Sequence, residues 1–83
     1  DKDPDAAARL SAARSALQGI AEANRLPVEN LLQPDLVRRT CWRPPEDLSP
    51  DSVAQALRAG GAREWQIGLT ADAFSQALKD AEQ

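Results

Sequence analysis

The chain has 83 residues, of which 42% are hydrophobic, 28% charged and 4% aromatic, enough for one small domain and too little for two. Ten Lys and Arg against thirteen Asp and Glu give a formal charge of −3, and there is no histidine, which removes the commonest general base and the commonest transition-metal ligand. One cysteine, Cys41, excludes an internal disulfide and a CxxC zinc or redox site, and no apolar run approaches a membrane span. These features point to a soluble, all-α domain of a reducing compartment, and the chain is expected to be a cytoplasmic monomer.

Asp1-Lys2-Asp3-Pro4 resembles the end of an acidic protease-tag site followed by a restriction-site Asp-Pro. Residues 1–4 are therefore read as a vector remnant and 5–83 as the domain. The alternative is a natural helix start, with Asp3 as cap and Pro4 at the first helical position. Without Asp1, Lys2 and Asp3 the formal charge is −2, and such a fragment reads as a module of a larger protein.

Asp5 to Asn24 is Ala-rich, with Ala6, Leu10, Ala13, Leu17, Ile20 and Asn24 at helical spacing. Arg9, Arg14, Gln18 and Glu22 fall off that stripe, and Gly19 is expected where another helix packs closely. Leu26-Pro27 ends this helix and starts a short turn carrying Val28, Leu31 and Leu32. Pro34 opens a helix through Leu36, Val37, Thr40 and Cys41, which must end near Trp42 because Pro44-Pro45 cannot continue it. A stiff acidic connector with Glu46, Asp47 and Asp51 leads to Ser49 as N-cap and Pro50 as first helical residue. That helix presents Val53, Ala54 and Leu57, and Gly60-Gly61 terminates it with a left-handed residue. Arg63 to Gly68 reads as one or two helical turns holding Trp65, Ile67 and Leu69. Thr70 then caps a last helix with Ala71, Phe74, Ala77 and Leu78 toward the core. No segment has the β-branched alternation of a strand. The architecture is a compact bundle of five or six short helices.

The run RLPVENLLQPDLVRRTCW, followed by VAQALRAGGAREWQ and a short final helix, resembles the HRDC domain found at the C-termini of RecQ helicases and of ribonuclease D. Over about residues 8 to 79 it is most similar to the C-terminal domain of actinobacterial ribonuclease D-like 3'–5' exonucleases. One departure matters. RecQ-type domains usually carry Gly-x-Gly followed by Lys or Arg, whereas this chain has Ala59-Gly60-Gly61-Ala62-Arg63 and lacks the lysine of many relatives. That puts the usual DNA-contact surface in doubt and favours the ribonuclease D branch. The resemblance implies an accessory module that binds nucleic acid or a partner, with catalysis in a separate domain of the parent chain.

No catalytic residue, metal site or cofactor is assigned. Glu46, Asp47 and Asp51 lack metal-loop spacing and read as a solvated connector. Cys41 lies at core spacing from Val37 and has no His to activate it, so it reads as a structural thiol. The serines have no triad partner.

The basic residues carry the candidate site. Arg38, Arg39 and Arg43 against Asp35 leave a local charge of +2 in an acidic chain. Arg38 and Trp42 are four apart, as are Arg39 and Arg43 if the helix reaches that far. Arginine forks bind phosphate and stack on bases, and an exposed indole is a platform for single strands. The bland alternative is a solvated face paired with Glu46 and Asp47, and both readings stand at this point. Arg63 beside Trp65 is a second arginine–indole pair. Trp65 and Phe74 are assigned to the core, and Trp42, at a helix edge, to partial exposure.

The reading that results is a non-catalytic domain that binds single-stranded RNA or DNA weakly through Arg38, Arg39, Arg43, Arg63 and Trp42. The acidic pI near 4.8 argues against a strong duplex binder. The alternatives are a protein-interaction domain docking on its own catalytic domain, or an HRDC domain of a RecQ-type helicase.

Overall fold

Proline opens three of the five helices: its fixed φ suits a first helical turn, where its missing N–H leaves no intrahelical bond unmade. The computed structural model describes residues 4–82. They form α1 (Pro4–Asn24), α2 (Val28–Leu31), α3 (Pro34–Trp42), α4 (Pro50–Ala59) and α5 (Glu64–Ala81), with no strand among the described residues. The bundle is all-α, as expected. Pro4 is the first residue of α1, while Asp1, Lys2 and Asp3, read from sequence as a vector remnant, lie outside the described residues.

The buried stripe of α1 is Ala6, Ala13, Leu17 and Ala21. Leu10 and Ile20 are only half-buried, and Asn24 is exposed, its Nδ2 donating to the Ile20 carbonyl at 2.9 Å. The face is thus turned from the expected one toward its alanines, because α1 packs against both α5 and α3 and small side chains let two neighbours approach. Gly19 also differs from expectation. It is exposed, and a Cβ there would meet nothing within 4 Å, so no helix packs on it. α1 ends in a Schellman arrangement: the Leu26 amide donates to Ala21 at 2.9 Å and the Arg25 amide to Glu22 at 3.3 Å, with Arg25 left-handed at φ 56°.

In α3 the expected Leu36, Val37, Thr40 and Cys41 are buried. Ser49 caps α4 by accepting from the Ser52 amide at 3.3 Å. After α4, Gly61 supplies the left-handed residue at φ +105°, and Gly60 leaves room for Leu36, whose Cδ1 a Cβ would strike.

α5 is one continuous helix of 18 residues, where a short turn and a separate Thr70-capped helix were expected. Thr70 is buried in mid-helix, and its hydroxyl donates to the Gln66 carbonyl at 2.7 Å instead of capping an N-terminus. The start lies at Arg63, whose amide donates to Gln66 Oε1 at 2.7 Å. Continuity sets one core stripe through Ile67, Thr70, Ala71, Phe74 and Leu78. Phe74 is buried as expected. Trp65, expected in the core, is 50% exposed, and Leu69 is 39% exposed, because both fall on the opposite side of the unbroken helix. α5 packs on α1 and α4, and the Ser75 hydroxyl donates to the Leu48 carbonyl, tying the connector down. No helix among the described residues is long and apolar enough to cross a membrane.

Candidate nucleic-acid interface

α3 buries Leu36, Val37, Thr40 and Cys41, which forces Arg38 and Arg39 outward. Arg38 and Arg43 are exposed, and among the described residues neither has an ion pair or a side-chain hydrogen bond. Arg39 is different: its Nε lies 3.0 Å from Asp35 Oδ2, one turn earlier. Both groups are well exposed, so the pair is screened and holds little energy, and a phosphate would have to compete with Asp35 for Arg39. The helix stops at Trp42, so Arg43 is the C-cap and no longer shares a helical face with Arg39. Trp42 is half-buried and packed against the core, leaving an edge to solvent.

Arg63 stands apart. It lines a groove of about 290 Å³ with Gln33, Leu36, Gly60, Gly61 and Gln66. Leu36 belongs to the first turn of α3 and Arg43 follows the last. A helix of nine residues spans roughly 13 Å, so Arg63 and Arg43 lie off opposite ends of α3. Trp65 is not in that groove. The groove therefore does not bring Arg63 and Trp65 together.

Two cations that sequence reasoning left aside belong to this region. Arg9 Nε donates to the Cys41 carbonyl oxygen at 2.6 Å, satisfying one of the free carbonyls at the C-terminus of α3. Arg14 lines an apolar groove of about 180 Å³ with Leu17, Val28, Leu32, Pro34 and Val37. The two contacts show that α1 and α3 run antiparallel. Burial pushes the Cys41 thiol up to about 11, and the charges of Arg9 and Arg14 act against that rise; Arg9 sits at the last turn of α3, and Arg14 beside Pro34 and Val37, nearer its start. The field around α3 is therefore built from two helices. The only signal in the sequence was that Arg9 and Arg14 sit off the apolar stripe.

The acidic connector has a structural task. Asp47 accepts from the Ser49 amide at 3.0 Å and from the hydroxyls of Ser49 and Ser52, each at 3.1 Å. These bonds, the Ser49 amide first, hold its carboxyl below the ordinary value of 3.8. Asp47 thus organises the start of α4 and does not pair with the α3 arginines. Among the described residues no three His, Cys, Asp or Glu side chains gather as a metal-ligand set.

The chain matches the family of the 3' to 5' exonuclease C-terminal domain over residues 1–78, and it belongs to that family. Among solved structures, a protein from Bifidobacterium adolescentis is similar, with a TM-score of 0.83 and 37% sequence identity over 95% of this chain. This chain spans only 19% of that one. No curated protein matches.

Proposed function

We propose that this is a non-catalytic accessory domain of a ribonuclease D-like 3'–5' exonuclease of actinobacterial type, acting in the cytoplasm to hold single-stranded RNA or DNA near the nuclease site. The observation that carries the reading is the pair Arg38 and Arg43, exposed and free of carboxylate partners in a chain of net charge −3. Arg14 adds charge beside α3, Arg39 contributes when phosphate displaces Asp35, and the free edge of Trp42 can meet a base. Arg63 serves a strand that continues past the start of α3. Membership in an exonuclease family favours this parent over a RecQ-type helicase.

So few phosphate contacts give weak, salt-sensitive binding. Tethering to the nuclease portion offsets the weakness, because a short flexible linker sets an effective concentration near millimolar. RNA and DNA present the same phosphates to these arginines, and the test compares both.

The experiment titrates labelled single-stranded RNA and DNA at several salt concentrations, with folding checked by circular dichroism. Replacing Arg38 and Arg43 by Ala is expected to flatten the slope of log affinity against log salt by about 1.4 units, at about 0.7 per single-strand phosphate. Trp42→Ala lowers affinity with little change in slope, since stacking releases no counterions. Equal affinity and slope for the wild type and the double variant overturn the assignment.

A further inference from the structure

Among the described residues, Trp65 and Leu69 are the two large apolar side chains that the fold leaves exposed, at 50% and 39%. They lie four residues apart on an unbroken helix, so they form one patch. Asp72 continues the same face and is exposed, as is Gln76, whose amide donates to Asp80 at 2.8 Å. The nearby Arg58 is already paired, its guanidinium donating twice to Glu64 at 2.6 and 2.9 Å. An indole and a leucine beside carboxylates repel phosphate and suit a protein surface. The patch lies on α5, which packs chiefly on α1 and α4, whereas the main neighbour of α3 is α1.

We infer that the outer face of α5, centred on Trp65 and Leu69, docks on an apolar surface of the nuclease portion of its own parent chain. The inference rests on the reading of this domain as part of a nuclease. Two features select that occupant over a second copy. Trp65 and Leu69 together offer on the order of 200 Å² of apolar surface, far short of the roughly 800 Å² per partner that a free dimer requires. A tethered neighbour needs much less, since association is intramolecular. The matching domain also fills only 19% of the similar Bifidobacterium adolescentis chain, so a domain of this type occurs beside a larger body of protein. The domain then bridges two partners, nucleic acid along α3 and the nuclease body along α5.

The test uses the full parent chain, wild type and with Leu69→Asp or Trp65→Ala, both surface changes that leave the core stripe intact. Small-angle scattering is expected to show a larger radius of gyration in either variant. Amide exchange over residues 64–73 is expected to be about tenfold slower in the wild-type parent than in the 83-residue chain, and to lose that protection in the variants. Identical scattering and exchange in wild type and variants overturn the proposal. So does a dimer of the 83-residue chain that Leu69→Asp dissociates, or protection of residues 64–73 by single-stranded RNA alone. The salt slope of the Arg38/Arg43 double variant is measured separately. An unchanged slope with an opened Leu69→Asp parent defeats the nucleic-acid reading and keeps the docking; the converse result defeats the docking alone.

Discussion

The Arg9 guanidinium donates through Nε to the carbonyl oxygen of Cys41 at 2.6 Å, fastening the first half of α1 to the last turn of α3 across 32 residues of sequence. A charged donor on a helix C-terminus satisfies an orphan carbonyl and opposes the negative end of the helix dipole. Arg9→Ala is expected to destabilise the domain by about 1.5–3 kcal/mol, the range for a hydrogen bond to a charged group. Arg9→Lys recovers little, because the ammonium reaches the carbonyl without the rigid fork. A thermal midpoint for Arg9→Ala equal to wild type would remove this bond from the account of stability.

Leu17 is 1% exposed and central to the stripe of α1. Leu17→Ala is expected to cost about 2–5 kcal/mol, transfer and cavity terms together, a large share of what so small a domain has. Arg14→Ala, on the exposed rim, should change stability by less than about 0.5 kcal/mol. Urea melts of the two variants check the pair, and equal midpoints would mean that α1 faces the other way.

Arg25 holds the left-handed position at the end of α1, at φ 56°. A side chain there costs roughly 1–2 kcal/mol that glycine avoids, offset in part by glycine's freer unfolded chain. Arg25→Gly is expected to stabilise by about 0.5–1 kcal/mol and raise the thermal midpoint by roughly 3–6 °C. Gly61→Ala, at φ +105°, should do the reverse. A drop in midpoint for Arg25→Gly would show that the Arg25 side chain has a role beyond its backbone.

Burial lifts the Cys41 thiol from its ordinary 9.0 to about 11. The unfolded chain then releases this proton before the folded one does, so the contribution to stability is full below pH 9 and is lost as pH rises toward about 11. Wild type should lose midpoint across that window faster than Cys41→Ala, although the variant starts lower because of its cavity. Parallel curves for the two proteins between pH 8 and the top of that window would place the thiol in contact with solvent.

Much of the fold is legible along the chain because its signals are local. Pro34, Pro50, Ser49 and Gly61 mark helix ends where each acts, through a fixed φ, a side-chain cap or a left-handed residue. The stripe of α3 is read correctly because that helix is short and presents one buried face. The outward turn of Arg38 is legible for the same reason, since a helix that buries Val37 and Cys41 must turn Arg38 outward, whereas Arg43 follows the helix as its C-cap.

Local signals fail where two outcomes differ only in what lies across the gap. Thr70 resembles a helix cap in isolation, but its hydroxyl turns back to Gln66 and the helix runs through. With Phe74 in the core, that continuity turns Trp65 to the exposed side. Arg9 and Arg14 look like surface charge on α1 until the antiparallel crossing sets Arg9 against the end of α3 and Arg14 beside its first turns. By itself the sequence determined an all-helical domain, its helix ends and one basic segment, since propensity, capping and periodicity act within a few residues. Which face of α1 is buried, which indole reaches solvent and which cations share a surface were decided only by tertiary packing, because those depend on neighbours distant in the chain.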